Sequence, residues 1–209
     1  PATPSIRLCP VRHRTATPCL RTRGTAMTLY QHLDKYIKTK KQKGFERNFF
    51  LDVDQYEIWE EIEIGKRQEA KSKFEVTVED IKHFSEAILD PNPLFNDEEY
   101  ARKTPWGGLI AHPLFFHFIS LYCIDVGFCN WMRIPGAFNP GQVNDLYEPF
   151  RPGDLITLTL TSTDKWIKRG WHYVQCQQDF SDQQGVVKVR RWPILAVPHT
   201  RQEIQKYLD

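Results

Sequence analysis

No helix can run through Asp90-Pro91-Asn92-Pro93, and that corner decides how the chain around it has to be read. Each proline lacks an amide hydrogen, fixes its own φ and disfavours helical geometry in the residue before it. The helical period of Ile81, Phe84, Ala87 and Ile88 must therefore stop there. Beyond it, Asn96 or Asp97 can cap a short acidic helix through Glu98, Glu99, Tyr100 and Ala101. Gly107-Gly108 then loosens the chain ahead of a long apolar segment. Asp90 and His112 are the titratable groups at the two breaks. A two-proline corner fixes where its polar side chains point, so a functional site is expected between Phe84 and Phe116.

Leu114, Phe115, Phe116, Phe118, Ile119, Leu121, Ile124 and Val126 make the next segment apolar on nearly all sides. That pattern predicts a helix buried in the middle of a domain, ended by Gly127. His117 interrupts the run, which is too short to span a bilayer. Upstream, the segment from Glu57 predicts a strand, a turn at Gly65-Lys66 and a strand from Ala70 to Val76, with Thr77 and Asp80 as a capping box. Downstream, Leu155 to Trp166 alternates Ile and Leu against Thr, the pattern of a half-buried strand. Lys168-Arg169-Gly170 turns the chain into a strand from Trp171 to Phe180. Ser181 to Gly185 turns it into another from Val186 to Val197, and a helix over Gln202 to Leu208 ends it. This order predicts an α+β fold: a curved antiparallel sheet wrapped around one long buried central helix.

The flanks read differently. Residues 1–26 carry five arginines and no acid, which suits either an organellar transit peptide or a non-native extension before a natural start at Met27. Pro4, Pro10 and Pro18 count against the amphipathic helix of a transit peptide. Leu29, Leu33, Tyr36 and Ile37 predict a helix from Thr28 to Lys43 closed by Gly44. The expected divisions are a leader or extension at 1–26, a helical extension at 27–56, the main domain at 57–198 and a C-terminal helix at 199–209. A formal charge of +2 leaves no footprint for nucleic acid, and Lys38, Lys40, Lys41 and Lys43 read as a solvated helix end. Five scattered cysteines form no C-x-x-C pair and no zinc spacing, and suit a reducing compartment. The expected location is cytoplasmic, or an organellar matrix if the leader is genuine.

Three motifs in order carry a resemblance. Asp90, Asn92, Pro93, Leu94 and Asp97 stand in a D-x-N-P-[LV]-H-x-D pattern. Gly107, Gly108, Ile110, Ala111 and His112 match a glycine loop followed by [IV]-A-H-G. Gly141, Gln142, Tyr147, Pro149, Gly153 and Asp154 match a G-Q, an aromatic and P-x-x-x-G-D. Together they resemble the MaoC-like (R)-specific enoyl-CoA hydratase/dehydratase family, which has the hot-dog fold. The resemblance implies a thioester substrate on coenzyme A or acyl carrier protein and reversible syn addition of water across the 2,3 double bond. It implies no cofactor beyond the coenzyme A of the substrate. It also implies pairing, as a homodimer or with another hot-dog subunit. The chemistry needs a base for water, an acid for C2 and a donor for the thioester oxygen as it turns enolate.

Two positions depart from that pattern. Where the family has its proton-handling histidine stands Phe95, and where it has the glycine whose N–H faces the thioester oxygen stands Pro113. Phenylalanine moves no proton and proline has no N–H. One such donor is worth about 3 kcal/mol, and one general acid or base about 10²- to 10⁴-fold in rate. The expected catalytic groups are Asp90 and His112, with His117 or Tyr122 as other claimants to the missing role. Asp90 has a plainer role open to it, capping the Asn92 turn, and His112 one as a helix cap. Asn92, Phe95, Gly108, Ile110, Pro113, Phe116 and Gln142 are expected around the substrate. Phe95, Phe115, Phe116 and Phe118 are expected to form an apolar wall suited to a bulky acyl group. The chain is expected to be a hydratase subunit with a degenerate site. The alternatives are a non-catalytic thioester-binding or partner-stabilising protein and, with less support, a thioesterase.

Overall fold

The structure is a computed structural model that describes residues 37–44, 52–124 and 128–208. The leader, most of the predicted first helix, most of its connector and the predicted stop at Gly127 lie outside the described residues. Six strands form the sheet: β1 (Arg67–Glu69), β2 (Phe74–Glu75), β3 (Phe138–Leu146), β4 (Leu155–Lys168), β5 (Trp171–Ser181) and β6 (Val187–Ala196). The order is β1-β4-β5-β6-β3, all antiparallel, and β2 also pairs with β4. Two tight turns join β4 to β5 to β6. In the first, Arg169 and Gly170 both have positive φ (52° and 78°), the backbone that matches the twist of a two-residue hairpin.

Among the described residues six short helices complete the fold: α1 (Lys40–Gly44), α2 (Val78–Ala87), α3 (Pro93–Asn96), α4 (Glu98–Arg102), α5 (Phe116–Cys123) and α6 (Arg201–Gln205). Period-2 alternation turns Ile156, Leu158 and Leu160 of β4, Val174, Cys176 and Phe180 of β5, and Val189 and Leu195 of β6 onto the inner face, all buried. α5 lies on that face, with Phe116 against Phe180 (5.9 Å between ring centroids). Phe74 of β2 meets Phe115, Phe118 and Tyr122 edge-on at 5.2–5.9 Å, the geometry aromatic quadrupoles favour.

Several expectations are corrected. The segment after Glu57 is no strand but a 3₁₀ turn, Trp59–Glu61. Lys165 holds it there, its ammonium donating to the carbonyls of Trp59, Glu60 and Ile62 at 3.0–3.2 Å. The strand expected at 70–76 shrinks to β2, with β1 a separate strand just before it, and the terminal helix is α6 alone. β3 was not foreseen, because Asn139, Pro140 and Gly141 have poor strand propensity. The first helix begins, within the described residues, only at Lys40. Thr39 caps it, taking the Gln42 N–H on Oγ1 and giving its own N–H to Gln42 Oε1. Lys41 is not solvated: its ammonium pairs with the buried Asp80 carboxylate at 2.5 Å.

The central helix is shorter than its apolar run. A 3₁₀ turn, Pro113–Phe115, precedes it and Ile124 is already extended. Nor is the apolar run buried all round, since Leu114 in the 3₁₀ turn is 48% and Leu121 in the helix 65% exposed. No described helix is long and apolar enough to cross a membrane.

At one end of the sheet Lys188, 4% exposed, gathers the surrounding loops. Its ammonium lies 3.2 Å from Asp154 Oδ2 and 3.6 Å from Asp182 Oδ2 and Glu148 Oε2. Both aspartates also tie backbone: Asp154 accepts the Arg151 N–H, and Asp182 those of Gln184 and Val186. The strap of residues 147–154 is thereby fixed, and its Phe150 carbonyl accepts the N–H of Ala111, next to His112.

Candidate functional site

The corner after α2 is clamped from three sides. Leu89 adopts a left-handed conformation (φ 60°), which lets the Asp90 N–H reach back to the Ser85 carbonyl at 3.0 Å. The Ser85 hydroxyl and the Asn96 amide both donate to the Asp90 carbonyl, at 2.5 and 3.2 Å. Asn92 caps α3 through the Leu94 N–H, with Pro93 in the first-turn position where a missing N–H costs nothing. Leu89 itself is 87% exposed, so its side chain contributes little to offset the left-handed backbone. Leu89→Gly is expected to raise stability by about 0.5–1 kcal/mol, seen as a higher urea midpoint at unchanged slope. An unchanged or lower midpoint would show that Leu89 is held by something other than the turn.

Asp90 uses one oxygen locally and presents the other. Oδ1 accepts the Asn92 N–H at 3.0 Å, the capping role open to it. Oδ2 lies 3.6 Å from His112 Nε2. His112 is likewise a cap, taking the Leu114 N–H on Nδ1 at 3.0 Å. In the neutral ring the hydrogen is therefore on Nε2, aimed at Asp90. At 3.6 Å the two groups converge without a direct hydrogen bond, an arrangement in which one small oxygen can be shared by both. Phe95 packs edge-on against the imidazole (5.3 Å) and Phe84 lies 6.0 Å away.

The mouth of the central helix has no free donor in its first turn. Pro113 has none, the Leu114 N–H goes to His112 Nδ1, and the Phe115 N–H goes to the His112 carbonyl at 2.8 Å. A cleft of about 220 Å³ opens beside it, with Ile110, His112 and Pro113 on one wall and Leu146, Tyr147 and Phe150 on the other. Trp106 stands at its rim, its carbonyl held by Arg151 at 2.7 Å.

The other expected site residues divide. Ile110 and Pro113 line the cleft, Gly108 is half-buried in the loop leading to it, and Asn92 is exposed at the corner. Phe95 (5% exposed), Phe115 and Phe116 are core residues and are not among the residues that line this cleft. Phe115 and Phe116 face aromatic partners on the sheet, Phe74 of β2 and Phe180 of β5. Tyr122 packs on Phe74, away from the cleft lining. Gln142 meets His117 rather than the cleft, amide to Nε2 at 3.2 Å. On its other side His117 Nδ1 faces the Arg191 guanidinium at 3.1 Å. Burial first, and that cation second, hold the His117 imidazole below its usual pKa. A guanidinium only donates, so Nδ1 carries the lone pair, Nε2 carries the hydrogen, and the Gln142 amide has to offer its oxygen to it.

Arg191 was missed by sequence reasoning. The signal was present: Arg191 is in phase with Val189 and Leu195, the inward positions of β6.

The family described as "FAS1-like, dehydratase domain region" matches residues 63–191. A UPF0336 protein of Streptomyces avermitilis is 35% identical over 129 residues, covering 58% of this chain and 83% of that protein. A 3-hydroxybutyryl-CoA dehydratase of Methylorubrum extorquens is 30% identical over 98 residues, 47% of this chain and 59% of that one. Among solved structures, the unliganded R-hydratase PhaJ1 of Pseudomonas aeruginosa superposes with a TM-score of 0.58 at 22% identity, covering 69% of this chain and 88% of that one. The truncated HadBC complex of Mycobacterium tuberculosis, a 3R-hydroxyacyl-ACP dehydratase, does so at 0.56 and 18%, covering 63% and 95%.

Proposed function

Given that this chain belongs to the FAS1-like dehydratase domain family, among the MaoC-like hot-dog hydratases and dehydratases, we propose that it is a non-autonomous subunit of an enoyl-thioester hydratase. It supplies one wall of the acyl-thioester site, and a second hot-dog chain, identical or related, completes the site. The reading rests above all on the mouth of the central helix, where the first turn has no N–H to spare.

In the hydration direction a water oxygen bonds to C3, the C2–C3 π pair moves towards the thioester oxygen, and C2 then takes a proton. Asp90 Oδ2 and His112 Nε2 converge on a point where they can share that water and return its proton. The enolate oxygen is the unmet need. No donor of this chain's helix mouth is free for it, so the partner must bring one. The edge of β3, which among the described residues pairs only with β6, supports a partner there, as does the heteromeric state of HadBC among the structural neighbours. The CoA-dependent relative favours coenzyme A as carrier over acyl carrier protein. The coenzyme enters as part of the substrate. The burial of Phe95 keeps a second reading in view, a subunit that binds thioesters and stabilises an active sibling without handling protons.

The full chain mixed with crotonyl-CoA and longer enoyl-CoAs tests this by loss of the conjugated absorbance. The expected result is thioester binding by calorimetry with turnover below about 0.1 s⁻¹, two orders under a typical enzyme. Turnover near 10 s⁻¹ by the chain alone would refute the non-autonomous reading.

A further inference from the structure

The end of the sheet remote from the Lys188 strap carries a second cleft, of about 280 Å³. Three parts of the chain meet there: the β4-β5 turn, the last residue of β6 with the segment after it, and the C-terminal helix α6. Val189 of β6 lines the first cleft and Ala196 the second. At about 3.3 Å per residue, the strand between them sets the two roughly 23 Å apart. The site described above uses none of the second cleft's residues.

The charge of this cleft is one-sided. Arg169 comes from the turn and Lys206 from the end of α6, and among the described residues neither pairs with an acid. Glu203 is the sole acid among its described lining residues, and it is committed to His199. Its Oε2 accepts the His199 backbone N–H at 3.0 Å and faces the ring Nδ1, also at 3.0 Å. The His199 ring stacks on that of His172, with centroids 4.1 Å apart and planes 14° from parallel. Trp59 meets His172 edge-on at 5.0 Å, yet the ring nitrogens of His172 have no hydrogen-bond partner among the described residues. Two large aromatic rings line the same cleft while remaining in water: Trp171 is 51% and Tyr207 63% exposed. Neither is loose. Trp171 packs edge-on against Phe138 at 5.2 Å, and Tyr207 lies so close to Gly136 that a methyl group there would collide with its ring. A ring that is held in place but left in water can stack on a flat ligand at little entropic cost.

We propose that this cleft binds a nucleoside monophosphate. Its phosphate is held by the Arg169 guanidinium and the Lys206 ammonium, with His172 as a further polar partner, and its base stacks on the Trp171 and Tyr207 side. A guanidinium fork matches two phosphate oxygens at once, and an ammonium adds a point charge. The volume lies near the lower bound of small-molecule sites, about 300 Å³, so inorganic phosphate alone would leave most of it to water. Residues 1–26, with five arginines and no acid, have the wrong sign to occupy it. The proposal stands apart from the hydratase reading, since the two clefts share no residue.

Calorimetry on the full chain tests this with adenosine 5′-monophosphate, adenosine and inorganic phosphate as probes. The monophosphate is expected to bind at least about tenfold tighter than either fragment, equivalent to about 1.4 kcal/mol, and to weaken as salt rises. Arg169→Met and Lys206→Met, both on the surface, should each lower its affinity about tenfold and leave that of adenosine unchanged. Trp171→Leu combined with Tyr207→Leu should weaken the monophosphate and adenosine alike. Asp90→Asn, beside the first cleft, should change nothing. The inference is overturned if the monophosphate binds no tighter than phosphate, or if either cation variant binds it as well as wild type does. Displacement by crotonyl-CoA at a lower concentration than the monophosphate itself needs would overturn it too, since the nucleotide end of the coenzyme would then be the occupant.

Discussion

Phe95→His combined with Pro113→Gly is expected to raise crotonyl-CoA hydration by about 10²- to 10⁴-fold over wild type. The two changes restore different parts of one reaction. A histidine at 95 would stand beside His112, whose ring the phenylalanine now touches edge-on at 5.3 Å. It would give the shared water a second proton-handling group. A glycine at 113 would restore an N–H at the first position of the helix mouth, where the other two amides are already committed to His112. Either change alone should do little: without an enolate donor the added acid has no intermediate to protonate, and without the acid the donor holds a charge that cannot be discharged. Steady-state rates of the two single variants and the double variant would show a gain well beyond the product of the singles. A double variant that still binds acyl-CoA in calorimetry but gains nothing would mean that positions 95 and 113 are not the ones the chemistry lacks. Asp90→Asn in the double background should abolish the gain, tying it to the carboxylate at the corner.

The largest stability effect is expected at Lys188. Replacing it with Met keeps the volume and removes the one cation that, among the described residues, pairs with Asp154 and Asp182, whose side chains are only 11% and 8% exposed. Breaking a buried pair in this way costs about 3–5 kcal/mol, because the stranded carboxylates must be neutralised or hydrated. Urea denaturation should show the loss as a lower midpoint. The damage should not stay at the sheet end. The strap that Lys188 anchors carries one wall of the cleft and the carbonyl that holds Ala111 beside His112. Thioester affinity should therefore fall at temperatures where the variant is still folded. A loss under about 1 kcal/mol would place the cluster among surface ion pairs, which contribute little.

How much of this was legible beforehand depended on whether local chemistry or tertiary context decided the element. The Asp-Pro corner, the capping box at Thr77 and Asp80 and the β4-β5-β6 meander follow from prolines, short polar side chains and strict alternation, and all stand where the sequence put them. β3 was not visible because its residues are a poor strand by themselves and are held by β6. The 3₁₀ turn at Trp59 was read as a strand because Ile58, Ile62 and Ile64 alternate with acids, while the lysine that fixes the turn lies a hundred residues away. At the site, Asp90 and His112 were picked out by their places at backbone breaks, and the fold sets them 3.6 Å apart. Of the aromatic residues near them, Phe95 packs into the core edge-on against the His112 ring, a placement that tertiary packing decides and the local sequence does not.

The edge strand has one more consequence. Its opening residues have little to offer a newcomer: Pro140 has no hydrogen to give, the Gly141 N–H is already taken by the Asn139 side chain at 2.9 Å, and the ladder is irregular between Phe138 and Gly141. Only the stretch from Gln142 onward remains as a template. A visiting strand thus has few alignments to choose from, and it cannot slide along the margin to seed an endless stack of sheets.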